Sequence, residues 1–98
     1  LAVCSPHTTC GLTINEGWDP DVKADMESFL AARVPQDWGF RHAEGNSDAH
    51  IKTSFFGSSV LVPVADGRPD LGQWQAVYLC ESDGPCVRTL RVSFLKEA

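Results

Sequence analysis

The chain has 98 residues, of which 43% are apolar and 21% charged, and its 13 acidic and 8 basic side chains give a net charge of −5. This acidic balance argues against a general nucleic-acid binder, which needs a basic face, and against electrostatic docking on anionic membranes. No apolar run approaches the roughly 18 residues of a membrane helix, so we expect one domain over residues 1–98 with a modest core.

The first predicted elements are two short strands and a helix. Leu1–Ser5 and Leu12–Asn15 are apolar and extended. Asp19 can cap a helix that begins with Pro20, and Pro35 ends it. The apolar stripe of this helix consists of Val22, Met26, Phe29, Leu30 and Ala31. The chain starts inside a strand with no upstream partner, which suggests a shortened version of a longer domain.

The second half predicts a helix and then strands. Residues 38–45 form a loop, Asn46 or Ser47 caps the second helix, and Gly57 ends it. Trp74–Glu81 carries apolar side chains on both faces, so we expect cover on both sides. Grouped helices among strands indicate an α+β fold with mostly antiparallel sheet. The other predicted elements are a strand over Ser58–Val64, a turn at Asp66-Gly67 and a strand over Val87–Leu95.

The four cysteines give a weak metal signal. Each pair has five intervening residues, whereas zinc sites usually have two to four. Cys4 and Cys80 lie in apolar runs and are expected to be small buried side chains. The first ten residues lack the pattern of a signal peptide. A cytoplasmic location with free thiols is therefore expected.

All three histidines lie in polar segments between the regular elements. His7 follows the first strand, His42 lies in a loop, and His50 lies in an early turn of the second helix. Three imidazoles with an open fourth position suit a catalytic zinc or a similar divalent ion, and Glu44, Asp48 or Glu81 are alternative ligands. The other interpretation is that each histidine only caps an element or bonds backbone.

The sequence also allows two other kinds of site, a phosphate-binding site and a cysteine nucleophile. Hydroxyls of Thr8, Thr9, Ser58 and Ser59 near flexible glycines suit a bound phosphate, although turns and helix caps use the same groups. Cys10 near His7 suggests a nucleophile with its base, but three residues along a loop is weak support for contact.

Several motifs in order resemble the YjbQ-like family, whose members are named secondary thiamine-phosphate synthase enzymes. The resemblance spans essentially the whole chain. The motifs are Pro6–Glu16, Asp19–Asp21, His42, Glu44–Lys52, Gly57–Ser59, Asp66–Arg68, Leu71-Gly72, Trp74-Gln75, Leu79–Glu81 and Asp83–Pro85.

The resemblance implies antiparallel sheets packed as a sandwich or barrel, a homotrimer with the motifs near subunit boundaries, and a divalent metal, zinc or magnesium, at His7, His42 and His50. It also implies that the family's N-terminal strand and helix are missing here. Cys86 stands where the family often has arginine, so Arg88 would have to substitute in anion binding, and Gln73 stands where threonine is common.

The implied reaction joins a pyrimidine diphosphate to a thiazole phosphate and releases pyrophosphate. The alternatives are metal-assisted hydrolysis and non-enzymatic binding of a small anionic metabolite by a trimer. Under the enzyme interpretation the catalytic carboxylates are Glu44, Asp48 and Glu81. The residues expected to bind the phosphorylated metabolite are Thr8, Thr9, Asn15, Asn46, Lys52, Ser58 and Arg68.

Overall fold

Two helices and seven short strands make up the part of the chain that the computed structural model describes, residues 1–96. The helices are α1 (Pro20–Arg33) and α2 (Ser47–Phe56). The strands are β1 (Ala2–Cys4), β2 (Cys10–Glu16), β3 (Ser59–Leu61), β4 (Val64–Ala65), β5 (Arg68–Pro69), β6 (Gln75–Glu81) and β7 (Arg91–Ser93).

The strands pair in three antiparallel sheets. β1 lies between β3 and β7, with Val3 opposite both Val60 and Val92. β2 pairs with β6 along its whole length, and β4 pairs with β5 through the Asp66-Gly67 turn. The prediction of an α+β fold with two helices and antiparallel sheets is confirmed.

Both helices begin and end near the predicted residues. The Asp19 carboxylate accepts a hydrogen bond from the Asp21 N–H at 2.9 Å, and Pro20 is the first residue of α1. α2 follows Asn46 and stops at Gly57, whose φ of 95° lies in the region that favours glycine. The local sequence signals therefore place the helices correctly.

The core lies where α2 packs on β2. Leu12, Cys10 and Val62 are almost completely buried. Gly11 allows this contact, because a Cβ at that position would lie 2.7 Å from the Gly57 carbonyl oxygen. The packing fixes the start of β2 against the end of α2.

Two apolar faces that the sequence predicts are left open within residues 1–96. No residue of α1 is buried, and Phe29 in its apolar stripe is 60% exposed. One face of β6 is open within residues 1–96, since Val77 and Leu79 are 39% and 46% exposed. The spacing of apolar residues in a sequence shows which face of a helix or strand is apolar. It does not show whether another part of the same chain packs against that face.

The predicted strands Ser58–Val64 and Val87–Leu95 are shorter in the structure. The first divides into β3 and β4, which are separated by the buried Val62 and by Pro63. The second contains only Arg91–Ser93, because the Thr89 N–H bonds a histidine side chain instead of a neighbouring strand.

Candidate functional site

His42 and His50 lie together. Their ring centroids are 5.4 Å apart, with the rings edge to face. His42 comes from the loop before α2 and His50 from the first turns of that helix. Glu44 joins the pair, with its Oε2 atom 3.9 Å from His42 Nε2. The structure thus brings together two of the three histidines and one of the three predicted carboxylates.

A cavity of about 670 Å³ adjoins this histidine pair. Three of its lining residues, Trp38, Phe40 and Arg41, are not among the site residues predicted from the sequence. The Trp38 and Phe40 rings are 5.2 Å apart, and Trp38 is 71% exposed. Arg41 forms no salt bridge within residues 1–96. The place of these three residues in the sequence, within the four residues before His42, is the signal that could have identified them as neighbours of the histidine site. The cavity offers an aromatic surface and a cation without an ion pair among the described residues.

His7 has a different environment. Its Nε2 atom lies 3.0 Å from the Thr89 nitrogen and 3.2 Å from the Thr89 carbonyl oxygen, and the tautomer decides whether the ring accepts from the N–H or donates to the carbonyl. Ser5 supports the same segment, since its hydroxyl accepts from the His7 N–H at 3.3 Å and donates to the Cys10 carbonyl at 2.7 Å. This contact occupies Nε2 and makes His7 a support for the segment before β7. A metal bound at the other ring nitrogen, Nδ1, stays a prediction.

The donor chemistry near His42 matches a divalent metal, because imidazole and carboxylate are common zinc ligands. The arrangement is incomplete, since no three His, Cys, Asp or Glu side chains within residues 1–96 are grouped so that they could hold an ion. Glu44 is close to His42 and exposed over 76% of its side chain.

Glu81 forms an ion pair with Arg88. Arg88 Nε donates to Glu81 Oε1 at 2.6 Å and Nη2 donates to Oε2, while Nη2 also donates to the Thr9 hydroxyl at 2.9 Å. The Arg88 hydrogen bonds lower the pKa of Glu81 to about 2. A general base works best with a pKa near the working pH. Glu81 is therefore a charged acceptor that holds Arg88.

Asp48 and Lys52 form a second pair on α2, and neither residue lines the histidine cavity. Lys52 Nζ lies 3.2 Å from Asp48 Oδ2, and their side chains are only 17% and 11% exposed. Lys52 lines a separate cavity of about 410 Å³ between the helices and β6, with Met26, Phe56 and Tyr78 among its walls. The positive charge that was expected to bind an anion is neutralised by Asp48.

Asn46 links this region to the loop after β6. Its Nδ2 atom donates to Asp83 Oδ2 at 2.8 Å, across 37 residues of sequence. The Asp83 N–H in turn donates to Glu81 Oε2 at 3.1 Å. Asp83 was not among the predicted site residues, although the turn that contains it was recognised.

The other residues expected to bind the metabolite line neither cavity. Thr8 is exposed. Asn15 Oδ1 accepts from the Glu16 N–H at 2.7 Å. The Ser58 carbonyl accepts from the Ser5 N–H, and Arg68 lies on β5 opposite Ala65.

The cysteines are all free. Cys10 is completely buried, and burial raises its pKa, which disfavours the reactive thiolate. His7 bonds Thr89, so the structure does not support the alternative of a Cys10 nucleophile with His7 as its base. Cys80 is half-buried, and burial raises its pKa to about 11.

No helix within the described residues has the length and apolar character needed to cross a membrane.

Solved structures of the same fold come from bacteria and archaea. An uncharacterized conserved protein from Clostridium acetobutylicum superposes with a TM-score of 0.92 at 45% identity, over 96% of this chain and 73% of that one. A hypothetical protein from Aeropyrum pernix K1 gives a TM-score of 0.89 at 33% identity, over 98% and 72%. The chain thus has the fold of a class of α+β proteins described as uncharacterized or hypothetical.

Sequence similarity identifies the family within this class. The UPF0047 protein of Methanocaldococcus jannaschii is 50% identical over 90 residues, which are 92% of this chain and 65% of that protein. UPF0047 protein YugU of Bacillus subtilis is 48% identical over 91 residues, which are 92% and 69%. The family model described as UPF0047 protein YjbQ-like matches residues 1–97. The chain belongs to the YjbQ-like UPF0047 family, as its motifs predict.

Proposed function

We propose that this chain is part of a divalent-metal-dependent enzyme that acts on a small phosphorylated metabolite. His42 and His50 would be ligands, and Glu44 would be the carboxylate that acts beside them. The observation that carries the proposal is the 5.4 Å separation of two imidazoles that come from a loop and a helix. A bound ion would supply electrostatic stabilisation of the charge that develops on a leaving group.

The substrate class follows from the histidine cavity. Arg41 is a cation with no salt bridge within residues 1–96, and arginine binds phosphate with two parallel hydrogen bonds. Trp38 and Phe40 offer faces against which a planar ring can pack. A phosphate on a heteroaromatic ring satisfies both features. Thiamine-phosphate synthesis fits this class, since both of its reactants are phosphorylated rings.

Glu44 is the best of the three predicted carboxylates for proton transfer. Asp48 is paired with Lys52 and Glu81 with Arg88, whereas Glu44 has only His42 as a neighbouring basic group among the described residues. A carboxylate held by a cation is a poor proton acceptor. Glu44 would therefore accept or deliver the proton, and the other two would keep their partners in place.

Metal content tests the proposal. Purified protein is dialysed against zinc or magnesium and the bound metal is measured by mass spectrometry. We expect His42→Ala and His50→Ala to lose the bound ion. His7→Ala is the matched control and should keep it, because His7 bonds Thr89. Equal metal content in wild type, H42A and H50A would overturn the proposal.

A substrate screen separates the possible functions. The pyrimidine diphosphate and thiazole phosphate are supplied together and then singly, with and without a chelator. Joined product that disappears with chelator supports the synthase, and metal-dependent release of phosphate from a single compound supports a hydrolase. Turnover that survives chelation contradicts both. Metal and ligand binding without turnover would favour a binding protein.

Self-association is part of the same proposal. The open face of β6 carries Val77 and Leu79, and Val92 on β7 is 57% exposed. Symmetric association is a common way to cover such a face, and the family resemblance implies a trimer. Light scattering at micromolar concentration should give three times the chain mass. A stable monomer would contradict this part.

A further inference from the structure

We propose that the hydrogen bond between Asn46 and Asp83 is a positioning contact that sets the distance between His42 and His50. The inference rests on the proposed function, because it assigns a purpose to the geometry of that histidine pair. It concerns two residues that do not line the histidine cavity and whose side chains bond each other.

Asn46 is the junction between the two histidines. On one side, the Gly45 N–H donates to the His42 carbonyl at 3.1 Å, which closes a turn. On the other side, the Asn46 carbonyl accepts from the Ala49 N–H at 3.0 Å and from the His50 N–H at 3.4 Å. A movement of Asn46 would therefore move the His42 turn relative to the helix that carries His50.

The Asn46 side chain does not make the hydrogen bond that usually caps a helix at this position. At the start of a helix, the side-chain oxygen of asparagine normally accepts from a backbone N–H of the first turn. Here the side chain makes no such bond, and its Oδ1 atom is buried without a partner. The amide instead turns toward Asp83. Departures from local preference of this kind concentrate at functional sites.

Asp83 is a fixed anchor. Its N–H bonds Glu81, Glu81 bonds Arg88, and Arg88 bonds the Thr9 hydroxyl at the edge of β2. Glu81 is the last residue of β6 and Thr9 directly precedes β2, the two strands of the longest pair in the described chain. A continuous series of polar contacts thus runs from this rigid pair of strands to the start of α2.

The loop before α2 has few other restraints. Its one other side-chain hydrogen bond within residues 1–96 runs from Gln36 Nε2 to the Gly45 carbonyl at 3.2 Å. The side chains of His42 and Glu44 are 43% and 76% exposed, so packing restrains them only in part. The bond to Asp83 is a direct side-chain connection between this loop and the segment after β6.

A swap of the two side chains tests the inference. Asn46→Asp places two carboxylates face to face and removes the donor. Because aspartate caps helices as well as asparagine does, α2 should remain folded, which circular dichroism checks. The double variant N46D/D83N restores the hydrogen bond in the reverse direction, with the amide donor now at position 83 and the carboxylate acceptor at position 46. Gln73→Glu, the same type of change in an exposed loop, is the matched control.

Two measurements are made on each variant. In metal-free protein, the nuclear Overhauser effect between the ring protons of His42 and His50 should weaken in N46D and recover in the swap. Zinc affinity should fall about 10-fold or more in N46D and recover likewise, as when partners of metal ligands are removed. Q73E should match wild type in both.

The inference is overturned if N46D keeps the wild-type ring contact, or if the swap behaves like N46D alone. If wild type binds no zinc, the proposed metal function fails, whereas the ring contact still decides whether Asn46 and Asp83 position the histidines. The two failures are therefore distinguishable.

Discussion

Replacing Glu81 with glutamine is the sharpest test of how the loop after β6 is held. The carboxylate accepts two hydrogen bonds from Arg88, and the side chains of Glu81 and Arg88 are only 28% and 11% exposed. Glutamine has the same shape but no charge, so Glu81→Gln removes the ion pair without opening a cavity. We expect lower stability at neutral pH.

The magnitude follows from the pKa of Glu81, which falls from 4.5 to about 2. At about 1.4 kcal/mol for each pH unit, this shift would correspond to about 3 kcal/mol. Solvent still reaches part of the carboxylate and screens the pair, so we expect about 1–2 kcal/mol. Because the pKa is lowered on folding, this stability is present above about pH 4.5 and is lost as the pH falls toward 2.

Urea unfolding at several pH values between 3 and 7 measures the effect. The difference between wild type and E81Q should be largest at pH 7 and should shrink as the pH falls. Glu27→Gln is the control, because its 4.0 Å pair with Lys23 is well exposed and should contribute less than about 0.5 kcal/mol. Equal stability of E81Q and wild type at pH 7, with the same acid dependence, would refute the reasoning.

Two other changes probe the packing and the role of His7. Gly11→Ala should lower the free energy of unfolding by about 1–3 kcal/mol, because the new Cβ would lie 2.7 Å from the Gly57 carbonyl oxygen; unchanged thermal stability would contradict the tight contact. His7→Ala removes the acceptor of the Thr89 N–H, so hydrogen exchange at that amide should become faster, and an unchanged exchange rate would show that the bond does not protect it.

The sequence predicts the local features of the fold well. Asp19, Pro20 and Gly57 carry their own conformational preferences, and they begin and end the helices as expected. The structure places His42, in the loop before α2, beside His50, in the first turns of that helix. A metal site at these residues stays a prediction.

Long-range partners are the part that the sequence does not show. Nothing in the pattern around His7 indicates that its ring bonds Thr89, or that Lys52 is neutralised by Asp48. A histidine that binds a metal and one that bonds the backbone have the same local sequence. Arg41 was overlooked for the same reason, because its lack of an ion pair within residues 1–96 is a property of the fold.

The position of β1 has a consequence for how the chain acquires its structure. Residues 2–4 form the middle strand of their sheet, between residues 59–61 and residues 91–93. During synthesis this strand leaves the ribosome before either of its partner strands and can pair only after they have emerged. Contacts across such separations slow folding, because the intervening loop must be closed first. The strand pair β2–β6 and helix α2 can assemble sooner, so the sheet around β1 should be the last part of the fold to form.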